Sequence, residues 1–258
     1  MRIVRFSDGD HPKYGVVKDD STRIFVLRGD PLFSPIEPSG EVFELDEVRL
    51  LAPVIPRSKV VGVGRNYADH IAEMGSEVPE EPVLFLVPNT AVRGPDDPVI
   101  LPSWTKHVEP EGELAVVIKT LAKNVAPKDV ADVIFGYTIA NDVTARDKQK
   151  QDGQWARAKG FDSACPLGPW ITVSDSLDVD NLEITLSVDG EERQHASTSD
   201  MIHKVADVVS FVSHTFTLLP GDVIMTGTPA GVAPVYAGDR VDITIEGIGT
   251  LSNPVVRR

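Results

Sequence analysis

The chain has 258 residues and a mass of 28.0 kDa, enough for one large domain or for a large domain with a small module. Hydrophobic residues make up 41% and charged residues 25%, which is ordinary usage for a globular protein and excludes a disordered chain. Acidic side chains number 39 against 25 basic ones, which gives a formal charge of −14. This charge disfavours nucleic acids and anionic membranes as partners, and we expect neither.

Cysteine usage and hydropathy favour a cytoplasmic protein. The chain has one cysteine, Cys165, so no internal disulfide can form, and the region near its N-terminus lacks the residue order of a signal peptide. No apolar run approaches the roughly 18 residues of a membrane span. Cys165 has no histidine near it in sequence, which favours a buried structural cysteine over a nucleophile.

The first 50 residues have the pattern of a small β module, with short apolar runs separated by turn residues. Strands are predicted at 2–6, 14–17 and 23–27. A Pro-rich, acidic stretch follows around 31–38, and Pro53 and Pro56 then mark a boundary. We therefore predict a small N-terminal β module over 1–54 and a main domain over 55–258.

Beyond this boundary, short runs rich in Val, Ile and Thr predict a β-dominated α+β fold, since few helical patterns compete with them. Strands are predicted at 59–63, 113–119, 134–140, 170–173, 183–188, 222–226 and 240–245. Helices are predicted at 67–74, 127–133, 144–150 and 203–215.

Three common enzyme motifs are absent from the sequence. Gly62 and Gly64 follow a predicted strand, but the third glycine of a dinucleotide-binding fingerprint would fall at Tyr67. Neither the phosphate-binding G-x-x-x-x-G-K-[ST] pattern nor the G-x-S-x-G nucleophile motif occurs. Any chemistry therefore comes from other side chains.

The acidic residues are concentrated between Asp69 and Glu113. This segment holds ten acidic and two basic side chains, so it carries a net charge of −8 out of the total of −14. A solvated face is one interpretation of such a run, and a cation site is the other.

Three carboxylates favour a cation site. Glu111 and Glu113 lie two residues apart at the start of an apolar strand, so their side chains share one strand face. Asp142 follows a second apolar strand. Carboxylates beside a buried strand repel each other unless a divalent cation lies between them, and an all-oxygen ligand set suits Mg²⁺ or Mn²⁺ better than zinc. Exposed carboxylates at strand edges are the alternative.

Three further features can serve a reaction. His70 and Glu73 are three residues apart in a helical pattern, where they can form a general acid–base dyad or an ordinary surface pair. Lys159 lies beside a hydrophobic stretch, either partly buried near anionic groups or solvated. The glycine-punctuated segment 226–231 can present backbone N–H groups to a carboxylate or form a plain surface turn.

The joint order of these segments resembles the fumarylacetoacetate hydrolase superfamily over residues 50–258. The resemblance is carried by segments at 63–70, 110–114, 136–147, 159–162, 165–170 and 221–229. They include Pro-Glu-Gly-Glu-Leu at 110–114 and Thr-Gly-Thr-Pro at 226–229. The first 50 residues resemble the small module of prokaryotic members described as 2-hydroxyhepta-2,4-diene-1,7-dioate isomerases.

This resemblance implies a mixed β-roll or flattened barrel, a homodimer and a small 2-oxo acid as substrate. It implies that Mg²⁺ or Mn²⁺ is held by Glu111, Glu113 and Asp142. It implies catalytic roles for His70, Glu73 and Lys159, with the first two on a mobile lid over 65–78. It implies substrate contacts for Arg65, Tyr67, Arg146, Gln149 and Thr228.

Two positions depart from the family pattern. Val87 stands where family members often have a lysine, which removes a charge that would anchor the substrate. Ala233 stands where the loop after Thr-Gly-Thr-Pro usually continues Gly-Val-Gly, a change expected to alter loop geometry more than chemistry.

Several reactions fit these residues. The first hypothesis is isomerisation, tautomerisation or decarboxylation of a 2-oxo dicarboxylate through its enolate, of the 2-hydroxyhepta-2,4-diene-1,7-dioate type known from aromatic catabolism. The second is hydrolysis of a C–C bond in an acylpyruvate or fumarylacetoacetate-like substrate, for which the His70–Glu73 pair is the evidence, and oxaloacetate decarboxylation is a further option. A non-catalytic module that binds a metal and an oxo acid is the alternative of a different class.

Overall fold

The N-terminal segment folds into five strands. The structure, a computed structural model, describes residues 1–18 and 21–257. The strands are β1 (Arg2–Ser7), β2 (Lys13–Val17), β3 (Arg23–Leu27), β4 (Pro38–Glu44) and β5 (Arg49–Leu51). The first three agree with the sequence prediction. Strand β4 was not predicted, because most of its residues are exposed and it lacks the alternation of a half-buried strand.

The main domain is also built mostly from strands. Its elements are β6 (Val60–Gly64), α1 (Ala68–Glu73), β7 (Val83–Val87), β8 (Val92–Arg93), β9 (Val99–Leu101), β10 (Val108–Glu109), β11 (Gly112–Ile118), β12 (Ile134–Asn141), β13 (Thr144–Ala145), α2 (Arg146–Asp152), α3 (Ala156–Lys159), β14 (Cys165–Thr172), β15 (Glu183–Val188), β16 (Glu191–Ser197), α4 (Val205–Thr215), β17 (Val223–Met225), β18 (Arg240–Ile245) and β19 (Gly249–Arg257). Short 3-10 helices lie at Leu45–Glu47, Asn89–Ala91, Pro127–Val133 and Thr198–Asp200.

The strands form two larger sheets and one two-stranded pair. The large sheet has the order β4-β3-β2-β1-β14-β12-β11-β17-β6-β7, with β5 paired to β1 and β8 paired to β14. The second sheet has the order β16-β15-β18-β19-β9, and β10 pairs with β13. The predicted β-dominated α+β class is therefore confirmed. The expected barrel closure is not observed, because over the described residues the path of the large sheet ends at β4 and β7 without joining them.

The large sheet continues across the predicted module boundary. Strand β1 pairs with β14, with Arg2 opposite Thr172. A small apolar cluster around Phe6 and Ile24 forms the core of the N-terminal segment, and a much larger cluster forms the core of the rest of the chain. The division into 1–54 and 55–258 stays a prediction.

Two predicted helices differ from the observed ones. The segment Pro127–Val133 is a 3-10 helix, with proline in its first turn. The helix predicted from residue 144 begins at Arg146, because Thr144 and Ala145 pair as strand β13 with β10. No helix in the described part of the chain is long and apolar enough to cross a membrane.

Strand β11 lies inside the large sheet between β12 and β17, and all seven of its residues are buried. It lacks polar alternation, as expected for a strand covered on both faces. Strand β12 pairs antiparallel with it, with Gly112 opposite Asn141. The predicted carboxylates lie at this shared end of the two strands.

Candidate active site

Glu111, Glu113 and Asp142 meet at the shared end of β11 and β12. Glu111 immediately precedes β11, Glu113 is the second residue of that strand, and Asp142 follows Asn141, the last residue of β12. One carboxylate oxygen of each residue lies within 4.8 Å of those of the other two, and the three residues are 1–3% exposed. We call these three residues the carboxylate floor.

The carboxylate floor is not satisfied by the protein alone. Oδ1 of Asp142 is buried and has no hydrogen-bond partner in the described part of the chain. Burial, together with the charges of Asp142 and Glu111, raises the pKa of Glu113 well above its ordinary value. Burial also raises the pKa of Asp142 to about 7, although the Lys159 ammonium opposes this. An orphaned oxygen among clustered oxygen donors fits a divalent cation such as Mg²⁺ or Mn²⁺.

Lys159, at the end of α3, contacts the carboxylate floor directly. Its Nζ donates to Oε2 of Glu111 at 2.9 Å, to Oδ2 of Asp142 at 2.5 Å and to Oγ1 of Thr144 at 2.7 Å. Burial alone would lower the pKa of Lys159, but the two carboxylates raise it above its ordinary value. The side chain is therefore a buried ammonium whose three N–H groups are all used.

Arg146, the first residue of α2, also contacts the carboxylate floor. Its Nη2 donates to Oε1 of Glu111, its Nε donates to Oε2 of Glu109 at 2.6 Å, and its Nη1 donates to Oε1 of Gln149 at 2.9 Å. Burial would raise the pKa of Glu111, but Arg146 and Lys159 hold that pKa below its ordinary value. The predicted substrate contact of Arg146 is thus occupied by protein carboxylates in this structure.

Helix α1 brings His70 and Glu73 together. Nδ1 of His70 lies 3.2 Å from Oε2 of Glu73, and Oε1 of Glu73 accepts from the backbone N–H of Gly231 at 3.1 Å. His70 is 8% exposed and lines the cavity described below. The geometry of the predicted dyad is present, and its catalytic role stays a prediction.

The segment 226–231 contacts both the carboxylate floor and α1. The backbone N–H of Gly227 donates to Oε2 of Glu113 at 2.7 Å, and Oγ1 of Thr228 donates to the carbonyl of Gly112 at 3.0 Å. The expectation that this loop presents N–H groups to a carboxylate is met by a carboxylate of the protein itself. With the bond from Gly231 to Glu73, the loop connects the floor to α1.

These elements enclose a cavity of about 260 Å³. Nine of the eleven predicted site residues line it, namely Arg65, His70, Glu111, Glu113, Asp142, Arg146, Gln149, Lys159 and Thr228. Glu73 lies behind His70, outside the lining. Tyr67 is 2% exposed, belongs to the hydrophobic core and does not line the cavity. Val87 is buried in β7 and is also outside the wall.

Sequence reasoning missed several residues of the site, and three of them bear on its chemistry. Trp155 and Lys150 line the cavity, and the Lys159 ammonium lies 5.9 Å from the Trp155 ring centre. Gln194 does not line it, but its Nε2 donates to Oγ1 of Thr228 at 2.8 Å and its Oε1 accepts from the backbone N–H of Gly112 at 2.9 Å. The burial pattern of β16 identifies Gln194, because it is the one buried residue of that strand.

Comparisons with known proteins identify the relatives of this chain. The model of the fumarylacetoacetate (FAA) hydrolase C-terminal family matches residues 59–256, and the Rv2993c-like N-terminal model matches residues 1–53. The oxaloacetate tautomerase YcgM of Escherichia coli is 47% identical over 197 residues, which cover 74% of this chain and 90% of that protein.

Two solved structures are similar over their whole length. The 2-hydroxyhepta-2,4-diene-1,7-dioate isomerase from Mycobacterium marinum is 47% identical, with a TM-score of 0.91 over 100% of this chain and 99% of that one. The maleylpyruvate hydrolase from Sphingobium sp. SYK-6, in complex with manganese(II) and pyruvate, is 32% identical, with a TM-score of 0.83 over 100% of this chain and 99% of that one. The chain belongs to the fumarylacetoacetate hydrolase family.

Proposed function

We propose that the protein is a divalent-metal-dependent tautomerase that interconverts the enol and keto forms of small 2-oxo acids. The observation that carries this proposal is the buried carboxylate floor, with the Lys159 ammonium against it and an oxygen of Asp142 that has no partner among the described residues. Glu111, Glu113 and Asp142 would hold the cation. A divalent cation bound there supplies a Lewis acid for the carboxylate and 2-oxo oxygens of the substrate.

The proton balance of this reaction needs no co-reactant. Ketonisation removes a proton from the enol oxygen and adds one to the neighbouring carbon. Lys159 is suited to donate or relay this proton because its ammonium touches two of the three carboxylates and lines the cavity. Phe85 and Trp155, whose ring centres lie 5.0 and 5.9 Å from Nζ, hold the ammonium in place and limit the water around it.

The relatives support the same class of reaction. Oxaloacetate tautomerase is named for keto–enol interconversion of a 2-oxo acid, and the Mycobacterium marinum protein is named as an isomerase of a 2-hydroxy diene dioate. Interconversion of isomers is common to both names. The manganese and pyruvate in the maleylpyruvate hydrolase complex support the proposed combination of Mg²⁺ or Mn²⁺ with a 2-oxo acid.

A turnover panel tests this proposal. The purified protein is given oxaloacetate, 2-hydroxyhepta-2,4-diene-1,7-dioate and an acylpyruvate, each with Mg²⁺, with Mn²⁺ and with a chelator. We expect loss of the enol absorbance of one of the first two substrates, dependent on the metal. Release of CO₂ would indicate a decarboxylase instead. Tight binding of oxalate without any turnover would overturn the proposal and support the non-catalytic binding module.

Hydrolysis of a C–C bond is a second candidate, favoured by one specific observation. Nδ1 of His70 lies 3.2 Å from Glu73, whose carboxylate is also held by the Gly231 N–H. A carboxylate that orients an imidazole in this way suits it to activate water. Formation of pyruvate and a second carboxylic acid from an acylpyruvate would move the assignment to a hydrolase.

We also propose that the protein acts as a cytoplasmic homodimer. The support is the resemblance to dimeric family members and the usage of a single buried cysteine. Light scattering on the purified protein is expected to give twice the chain mass of 28.0 kDa. A monomer mass at assay concentration would contradict the dimer.

A further inference from the structure

The basic side chains of the cavity fall into two groups. Arg146 and Lys159 lie at the carboxylate floor, and their charges already serve protein groups. All three N–H groups of the Lys159 ammonium are used, and each of the three nitrogens of Arg146 donates to the protein. Neither can receive a substrate carboxylate at full strength without releasing an existing partner.

Arg65 and Lys150 form the second group. Both line the cavity and both are exposed. Over residues 1–18 and 21–257, neither side chain forms a hydrogen bond or ion pair. Their positive charges therefore lie at the cavity wall, and their N–H donors are open to a ligand.

Helix α2 fixes where Lys150 lies relative to the carboxylate floor. Residues four apart on a helix share a face, so Lys150 lies one turn from Arg146, a rise of roughly 6 Å. Arg146 is 4% exposed and bonded to the floor, whereas Lys150 is exposed. Lys150 thus lines the cavity farther from the floor and nearer to solvent.

The backbone around Arg65 presents its side chain to the same cavity. Arg65 has φ of 59°, a left-handed conformation that a long side chain seldom adopts. The next residue holds this bend, because Oδ1 of Asn66 accepts from the backbone N–H of His203 at 2.8 Å and its Nδ2 donates to the carbonyl of Thr226 at 2.8 Å. Unusual backbone of this kind persists where neighbouring contacts enforce it, often at ligand sites.

We infer that Arg65 and Lys150 form a subsite for the distal carboxylate of a short 2-oxo dicarboxylic acid. This inference rests on the proposed function, which places the 2-oxo acid end of the substrate at the carboxylate floor. The far end of a short substrate then points away from the floor, where a second carboxylate meets two positive charges that have no partner among the described residues. Lys150, which the sequence did not single out, becomes a specificity-determining residue for dicarboxylates over monoacids.

The test compares oxaloacetate with its 4-methyl ester, which keeps the 2-oxo acid end but loses the distal charge. Metal-dependent exchange of the C3 protons with deuterated solvent is followed by NMR for both compounds. We expect the wild type to prefer the diacid in kcat/KM, and Lys150→Met to reduce this diacid-to-ester ratio about tenfold, mainly through KM for the diacid. Lys150→Arg should restore the ratio, and Arg65→Met should lower it similarly.

Lys148→Met is the matched control. Lys148 lies on the same helix, is bonded to Asp147 and Gln151, and does not line the cavity. The Lys148→Met variant should leave the diacid-to-ester ratio unchanged. If this ratio fell equally in Lys148→Met and Lys150→Met, only the overall charge would matter, and the subsite would be overturned. Equal turnover of diacid and ester by the wild type would also overturn it, while leaving the tautomerase proposal intact. No turnover of either compound would overturn both.

Discussion

The two sides of the cavity are built in different ways. The carboxylate floor is buried, stands on the paired strands β11 and β12, and is surrounded by cations whose donors are occupied. Another part of the wall, which we call the lid side and define as residues 65–78, contains the six-residue helix α1 with only His70 and Ile71 buried. A helix of this length is not stable alone, so its position depends on contacts such as that of Glu73 with Gly231.

This difference separates two roles. A preorganised group of charges in a buried site can stabilise an enolate for any 2-oxo acid that reaches it. A short helix with few buried residues, such as α1, can adopt more than one position and can decide whether water takes part. Variants of the carboxylate floor should therefore abolish every reaction of the protein, whereas variants of the lid side should change the balance between reactions.

The largest effect is expected for Glu113→Gln. This variant removes one carboxylate of the proposed cation site while keeping an oxygen that can accept from the Gly227 N–H. Metal-dependent turnover should fall about 1000-fold on every substrate, and calorimetry should show loss of Mn²⁺ binding. Retention of full metal-dependent turnover would contradict the assignment of the floor.

Although Glu113→Gln should abolish turnover, we expect it to stabilise the metal-free protein. Burial and two neighbouring carboxylates raise the pKa of Glu113, so its ionised form costs free energy of folding, and this cost grows as the pH rises. A neutral amide removes the cost, and Tm measured with a chelator should rise by about 2–4 °C. Glu183→Gln, at an exposed carboxylate of β15, is the control and should change neither Tm nor turnover.

Lys159→Met is expected to separate metal binding from chemistry. The variant removes the ammonium that contacts Glu111 and Asp142 but leaves all three carboxylates. Turnover should fall about 100-fold, in kcat more than in KM, while Mn²⁺ binding is kept or becomes tighter because a competing cation is gone. Without metal, Tm should fall, since the two carboxylates lose their partner. Joint loss of turnover and metal binding would mean that Lys159 only maintains the structure of the floor.

Much of the carboxylate floor was predictable because its signal is local. Glu111 and Glu113 lie at the start of the apolar run of β11, Asp142 lies just past the end of that of β12, and antiparallel pairing brings these two ends together. The position of the Tyr67 side chain was not predictable. The motif around Tyr67 implied a substrate contact, whereas tertiary packing places its ring in the hydrophobic core. The ion pairs of Arg146 were missed for a related reason, since they depend on the pairing of β10 with β13.

Gln194 is the clearest case of a residue that only tertiary structure reveals. It comes from the second sheet, and an irregularity in the pairing of β15 with β16 leaves Arg193 unpaired beside it. Such bulges redirect side chains. Here the redirected Gln194 side chain is buried against Thr228 and Gly112, and Gly112 is 82 residues away from it in the sequence. No sequence motif marks this contact.

Gln194→Ala should have an intermediate effect on the carboxylate floor. The backbone N–H of Gly112 would lose its acceptor, and Thr228 would lose a donor. We expect kcat/KM to fall about tenfold and Tm to fall by several degrees. Gln194→Glu keeps an acceptor for Gly112 and should recover part of the loss. Glu192→Ala, at an exposed position of the same strand, is the control, and an equal loss there would show that the strand as a whole matters rather than this amide.

The smallest effect on ketonisation is expected on the lid side. His70→Asn removes the imidazole that Glu73 orients but leaves every residue of the carboxylate floor in place. If water activation is the role of this pair, C–C hydrolysis of an acylpyruvate should fall about 100-fold, whereas ketonisation should fall only about threefold. Glu73→Gln should follow the same pattern, and Glu77→Gln, an exposed carboxylate of the same segment, should change neither rate. An equal loss of both activities in His70→Asn would remove the distinction between the two sides, because it would place His70 in the proton transfer that both reactions share.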